Sequence, residues 1–216
     1  GPATQLCQVA QINPEIQFTG VDLSPNMLAK AEQYAQTLNL KNVAFRVGDV
    51  TTLEGFSNHS IDAVISTMTL HHLPTRQHLE DCFIAINRVL KSGGALYLTD
   101  FGRLKSLKSV IFFASMNARY QPDIFTLDYE RSLRAAFLKE DFEVLLTQYL
   151  PKNAELISTF KVPFLIIIKT EDQPLPRDKY DQIHAMRSLL MPRYNQDLDS
   201  LRLFFRLSGL KNDPFV

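Results

Sequence analysis

The sequence predicts an α/β fold in which a mostly parallel sheet carries helices on both faces. Three observations carry this. Short apolar runs alternate with amphipathic stretches from about residue 4 to residue 101. Several of those runs end in an aspartate just before a turn or helix, the pattern of strands whose carboxyl ends share one edge of a sheet. Two later apolar runs are joined by a short connection, which suits an antiparallel pair at the sheet's edge.

Taken in order, Leu6, Val9, Ala10 and Ile12 are spaced for one face of a short helix starting near Thr4. Phe18 to Val21 reads as a buried strand ending at Asp22. Ser24 then supplies a capping hydroxyl, and Pro25 suits the first position of a helix that runs to about Thr37 and buries Met27, Leu28, Ala31 and Ala35. Asn39 to Asn42 form a turn, Val43 to Val47 a second strand, and Gly48-Asp49-Val50 its end. Ile61 to Ser66 is a third strand. After TMTLHHLPT comes an amphipathic helix, Arg76 to Leu90, with Leu79, Cys82, Phe83, Ile86, Val89 and Leu90 on one face. Lys91-Ser92-Gly93-Gly94 stops it, and Ala95 to Thr99 is a strand ending at Asp100. Residues 101–138 read as a helical insertion, Phe142 to Tyr149 and Pro163 to Thr170 as the antiparallel strands, and 171–216 as a helical C-terminal extension packed on the same domain, 1–170.

Composition narrows the partners. Lys plus Arg and Asp plus Glu number 23 each, so no global field draws the chain to nucleic acid or to an acidic membrane. A small-molecule partner is the expectation. Cys7 and Cys82 fall on apolar helix faces, as reduced core thiols do, which points to a cytoplasmic setting. No apolar run approaches a membrane span, and no signal peptide opens the chain.

Asp22 is the first candidate ligand contact, because an acid at a strand's carboxyl end can accept both hydroxyls of a nucleoside ribose. Asp49, 27 positions on, is a second acid at a second strand end. His71 and His72 lie just past a strand end, and either is a candidate general base because imidazole titrates near neutral pH. Phe112, Phe113, Met116 and Tyr120 are candidates to roof a substrate pocket. No metal site is expected, since adjacent histidines diverge and no further ligands recur at zinc-like spacing. Arg187, Arg193, Arg202 and Arg206 stud the tail, and a homodimer through the C-terminal helices is a further expectation.

The ordered set GPATQ, VDLSPNMLAKA, VGDV, IDAVISTMTLHHL and RVLKSGGALYLTD resembles the class I methyltransferases that use S-adenosylmethionine, over residues 1–101. The resemblance implies a Rossmann-like sheet closed by a terminal antiparallel pair. It implies that Asp22 grips the cofactor ribose with Leu23 beside it, that Met27 packs by the adenine, and that Asp49 reads the adenine amine with Val50 flanking it. Gly1 matches the last glycine of the family's cofactor loop, Thr67 and Met68 run beside the methionine part, and His71 lies near the methyl-transfer side.

The family pattern also places a strand and an acid-x-Gly-x motif before Gly1. Gly1-Pro2 is either the tail of that glycine turn or a scar from cleaving a purification tag. Three outcomes are open: further residues precede Gly1, another segment or subunit fills the place, or the sheet closes without that strand. The resemblance thus implies methyl transfer to a small molecule. A methyltransferase-like scaffold that binds a partner protein is the alternative, and a nicotinamide-dependent reductase a third.

Overall fold

The computed structural model describes residues 2–213 and 215. Helix α1 (Thr4–Ile12) leads into β1 (Phe18–Asp22), α2 (Pro25–Thr37), β2 (Val43–Val47) and β3 (Ile61–Thr67). A single 3-10 turn, Leu70–His72, precedes α3 (Arg76–Val89) and β4 (Leu90–Phe101). Then come α4 (Leu107–Ser115), α5 (Asp123–Ala135), α6 (Lys139–Tyr149), β5 (Glu155–Ser158), β6 (Leu165–Lys169), α7 (Arg177–Ser188) and α8 (Pro192–Leu207).

The local signals act as expected at α2, where Ser24 Oγ accepts the Met27 N–H and Pro25 opens the helix. Thr75 does the same for α3 by accepting the His78 N–H. Gly20 on β1 meets a different demand: a Cβ there would stand 2.7 Å from the Phe45 ring and 3.1 Å from Leu6, so glycine lets α1 and β2 close over the strand.

The strands form two sheets rather than the single, mostly parallel one expected. β1 and β2 pair in parallel, and a separate four-stranded sheet has the order β3-β4-β6-β5. Within it β3 and β4 are parallel, while β4-β6 and β6-β5 are antiparallel. Among the described residues no ladder joins β1 to β3. The architecture is therefore an α/β fold with mixed sheets, and the expectation of one Rossmann-like sheet is corrected.

The four-stranded sheet is covered on both faces. Leu96, Leu98, Ile166 and Ile168 meet Leu79, Phe83 and Ile86 of α3 and Phe142 and Leu145 of α6 in one core. Phe101 and Leu165, on the other face of the same two strands, and Ile157 of β5 meet Val110 and Ala114 of α4, Leu133 of α5 and Phe205 of α8 in a second. Burying each such side chain contributes roughly 1.5–3 kcal/mol. The small sheet joins this body through the segment after β2, where Val50 and Leu53 pack on the first core. Arg88 of α3 fastens that segment, donating to the carbonyls of Thr52, Leu53 and Phe56 and to Asn58 Oδ1 at 2.7–3.0 Å.

Other departures have local causes. Residues 142–149 are helix, not strand, because Phe142, Leu145, Leu146 and Tyr149 lie one helical turn apart and seat α6 against α3. The first antiparallel partner is instead Glu155–Ser158. Lys91–Gly94 is a bulge inside β4, since pairing moves from Ile61–Leu90 to Ala63–Ala95 and Gly93 takes φ 74°. Met27 is 37 % exposed rather than buried, whereas Leu28, Ala31 and Ala35 are core. Cys7 and Cys82 are free and buried, as their helix positions required.

Candidate functional site

Register places two acids side by side. Asp22 pairs with Val47, and the Gly48 N–H donates to the Asp22 carbonyl at 3.1 Å, so Asp49 follows immediately on the neighbouring strand end. The Asp22 Oδ1 accepts the Ser24 N–H at 2.8 Å. Burial opposes its ionisation but is outweighed, with the Ser24 bond and the His72 ring among the favourable contributions, and its pKa falls below the usual value. Asp49 is likewise held low by the Thr51 N–H at 2.8 Å and then the Thr51 hydroxyl at 2.7 Å. Beside these carboxylates Leu23 is 65 % exposed and Met27 is open, while Val50 is half-buried against the core. The pair thus offers hydrogen-bond acceptors next to uncovered apolar surface.

Thr67 and Met68 close β3 at the corresponding end of the larger sheet. Met68 sits at φ 50° with its N–H on the Thr99 carbonyl at 2.9 Å, and its side chain is exposed. A non-glycine residue in that conformation is held by its surroundings. The chain then turns into Leu70–His72.

The two histidines differ sharply. His71 is 5 % exposed, and its Nδ1 lies 2.7 Å from Asp100 Oδ1. Its ring faces Phe101 at 5.2 Å and the His72 ring at 4.1 Å. His72 is open to solvent on one side. Burial of the remainder and the neighbouring His71 ring lower its pKa, against the opposing pull of Asp100 and of Asp128 on α5. The His72 ring also bears weakly on Asp22 at the end of β1.

The residues expected to roof a pocket separate. Phe113 belongs to the second core and stacks on Phe164 at 4.3 Å. Phe112 and Met116 are exposed, and Tyr120 carries Arg119 on its ring at 4.5 Å and Arg193 of α8 at 5.0 Å. A cleft of about 340 Å³ between α4 and α5 is lined instead by residues including Ile111, Ala114, Thr126 and Leu127. Gly1 lies outside the described residues. Asp100, a strand-end aspartate with no role assigned from sequence, proves to be the partner of His71.

Residues 1–98, which hold these strand ends and both histidines, match the family described as a methyltransferase domain. The match covers a little under half of the chain. That family uses S-adenosylmethionine. An arsenite methyltransferase of Halobacterium salinarum is 30 % identical to this chain over 90 residues, 42 % of the chain and 22 % of that protein. The uncharacterized protein YafE of Escherichia coli is 35 % identical over 79 residues, 37 % of the chain and 36 % of that protein. The chain thus spans little more than a third, at most, of these relatives. In fold, the domain resembles a SAM-dependent methyltransferase of Methanosarcina mazei with a TM-score of 0.55, at 18 % identity over 81 % of this chain and 90 % of that one. Among the described residues no helix is long and apolar enough to cross a membrane.

Proposed function

We propose that this chain transfers a methyl group from S-adenosylmethionine to a small-molecule acceptor. The observation that carries the reading is the pair of low-pKa carboxylates on adjacent parallel strand ends, flanked by exposed Leu23 and Met27. That donor set fits the nucleoside half of the cofactor: carboxylates for the ribose hydroxyls and adenine amine, and apolar side chains for the flat base. Asp22 and Asp49 would take those polar roles, with Leu23, Met27 and Val50 around the base and Thr67 and Met68 towards the methionine half. The bound cofactor supplies a methyl group on a sulfonium, already a good leaving group. The chain's task is to bind, align and exclude water, with His71 or His72 receiving a proton where the acceptor carries one. In this reading residues 1–170 form the catalytic domain, 101–138 its roof and 171–216 an extension.

The separation of β1 from β3 favours a second reading, a scaffold in which the cofactor site is incomplete. Calorimetric titration with S-adenosylmethionine and S-adenosylhomocysteine decides between them. Micromolar binding supports the enzyme, and no heat from a folded protein supports the scaffold.

A further inference from the structure

Asp100, the penultimate residue of β4, is 2 % exposed, so its carboxylate has to be solvated by the protein itself. Four donors do so. Oδ2 accepts the N–H groups of Leu70 at 2.6 Å and His71 at 3.3 Å, and Oδ1 accepts the Phe101 N–H and His71 Nδ1, each at 2.7 Å. One carboxylate thereby pins the backbone of the histidine turn and the ring of its middle residue. It accepts at every contact, so His71 Nδ1 must be the donor. The His71 ring, wedged against Phe101, then forms the wall on which His72 rests.

We propose that Asp100 is a positioning residue that divides the two histidines: His71 is a fixed Nδ1–H anchor, and His72 is the ring that receives the acceptor's proton. This rests on the methyl-transfer reading and adds the assignment of roles. The proton leaving the acceptor's reacting atom ends on His72 as that atom's electron pair joins the methyl carbon and the carbon–sulfur pair stays on sulfur. One positive charge passes from sulfonium to imidazolium. The side chains bearing on His72 are His71, Asp100 on β4 and Asp128 on α5, and His72 in turn bears on Asp22 of β1. Two acids, Asp100 and Asp128, favour its cationic form, which suits a ring that becomes cationic during turnover, while burial and the His71 ring hold its pKa below the usual imidazole value.

The test is a pH titration of the histidine ring nitrogens by NMR on the full chain, without cofactor. The expected result is a His72 ring that titrates while the His71 Nδ1–H remains bonded to Asp100. Asp100→Asn should release the His71 tautomer and move the His72 midpoint down, because the Asp100 charge raises it. His71→Asn places an amide donor where Nδ1 stood, so the fold should persist and the His72 midpoint move up, because the His71 ring depresses it. If Asp100→Asn does not fold, the wild-type and His71→Asn titrations decide. A His72 ring that does not titrate, a neutral His71 with its proton on Nε2, or both rings unmoved in a folded Asp100→Asn variant, would overturn the assignment. These titrations need no cofactor, so failure of the chain to bind S-adenosylmethionine would count against the methyl-transfer reading separately.

Discussion

Replacing Asp22 by alanine separates a ligand contact from a helix-starting acid. In the folded chain its Oδ1 takes the Ser24 N–H at 2.8 Å, and loss of that bond costs about 1 kcal/mol, or a Tm lower by about 3 °C in a domain of this size. Ligand binding should suffer more. A ribose diol offers two hydroxyl donors, and hydrogen bonds to a charged acceptor contribute about 1.5–3 kcal/mol each, of which competition with water leaves about 3 kcal/mol for the pair. That is roughly 150-fold in Kd. Asp22→Asn, which keeps size but not charge, should fall between wild type and Asp22→Ala. Calorimetric titration with S-adenosylhomocysteine measures the affinity and scanning calorimetry the stability. An unchanged Kd in a folded Asp22→Ala variant would refute the reasoning, leaving Asp22 as part of a turn alone.

Three further perturbations test the frame around the site. The Asn42 amide donates to the carbonyls of Ala10, Asn13 and Ile16 at 3.0–3.1 Å while buried, so Asn42→Ala should cost about 2 kcal/mol, a fall of about 6 °C in Tm by scanning calorimetry. Burial pushes the Cys82 thiol up to about 12, and Cys7 is raised by burial too, so neither should react with a thiol reagent at pH 8 until the protein unfolds; mass spectrometry counts the adducts. Asp49 has its pKa depressed by Thr51, so its contribution to stability is present above the ordinary aspartate pKa and is lost as pH falls through the lower folded value. Thr51→Val removes the hydroxyl bond and should move the Asp49 midpoint, followed by carboxyl-carbon NMR, back up towards that ordinary value.

Where signals are local the sequence was legible. Ser24 and Pro25 set the start of α2, and the apolar stripe of α3 fixed both its extent and its buried face. The strand-end acids were legible because a break in apolar character coincides with the next helix start. At α6 the period of Phe142, Leu145, Leu146 and Tyr149 was visible, but the expectation of a terminal strand pair overrode it. The true strand is four residues long, too short to stand out by period. The partnership of Asp100 with His71 spans 29 positions, and the separation of the sheets concerns elements with no shared local pattern; neither leaves a mark on neighbouring residues.

The candidate site draws on both sheets: Asp22 and Asp49 stand on the smaller one, while Met68 and the histidines follow a strand of the larger. Among the described residues no ladder bond fixes the distance between them, and one link between the two sheets is the segment that follows Asp49 and is held by Arg88. A ligand spanning the two would act as a tie-bar, and its binding free energy would include the work of bringing the two sheets into alignment. Affinity in such a protein would be partly a mechanical property.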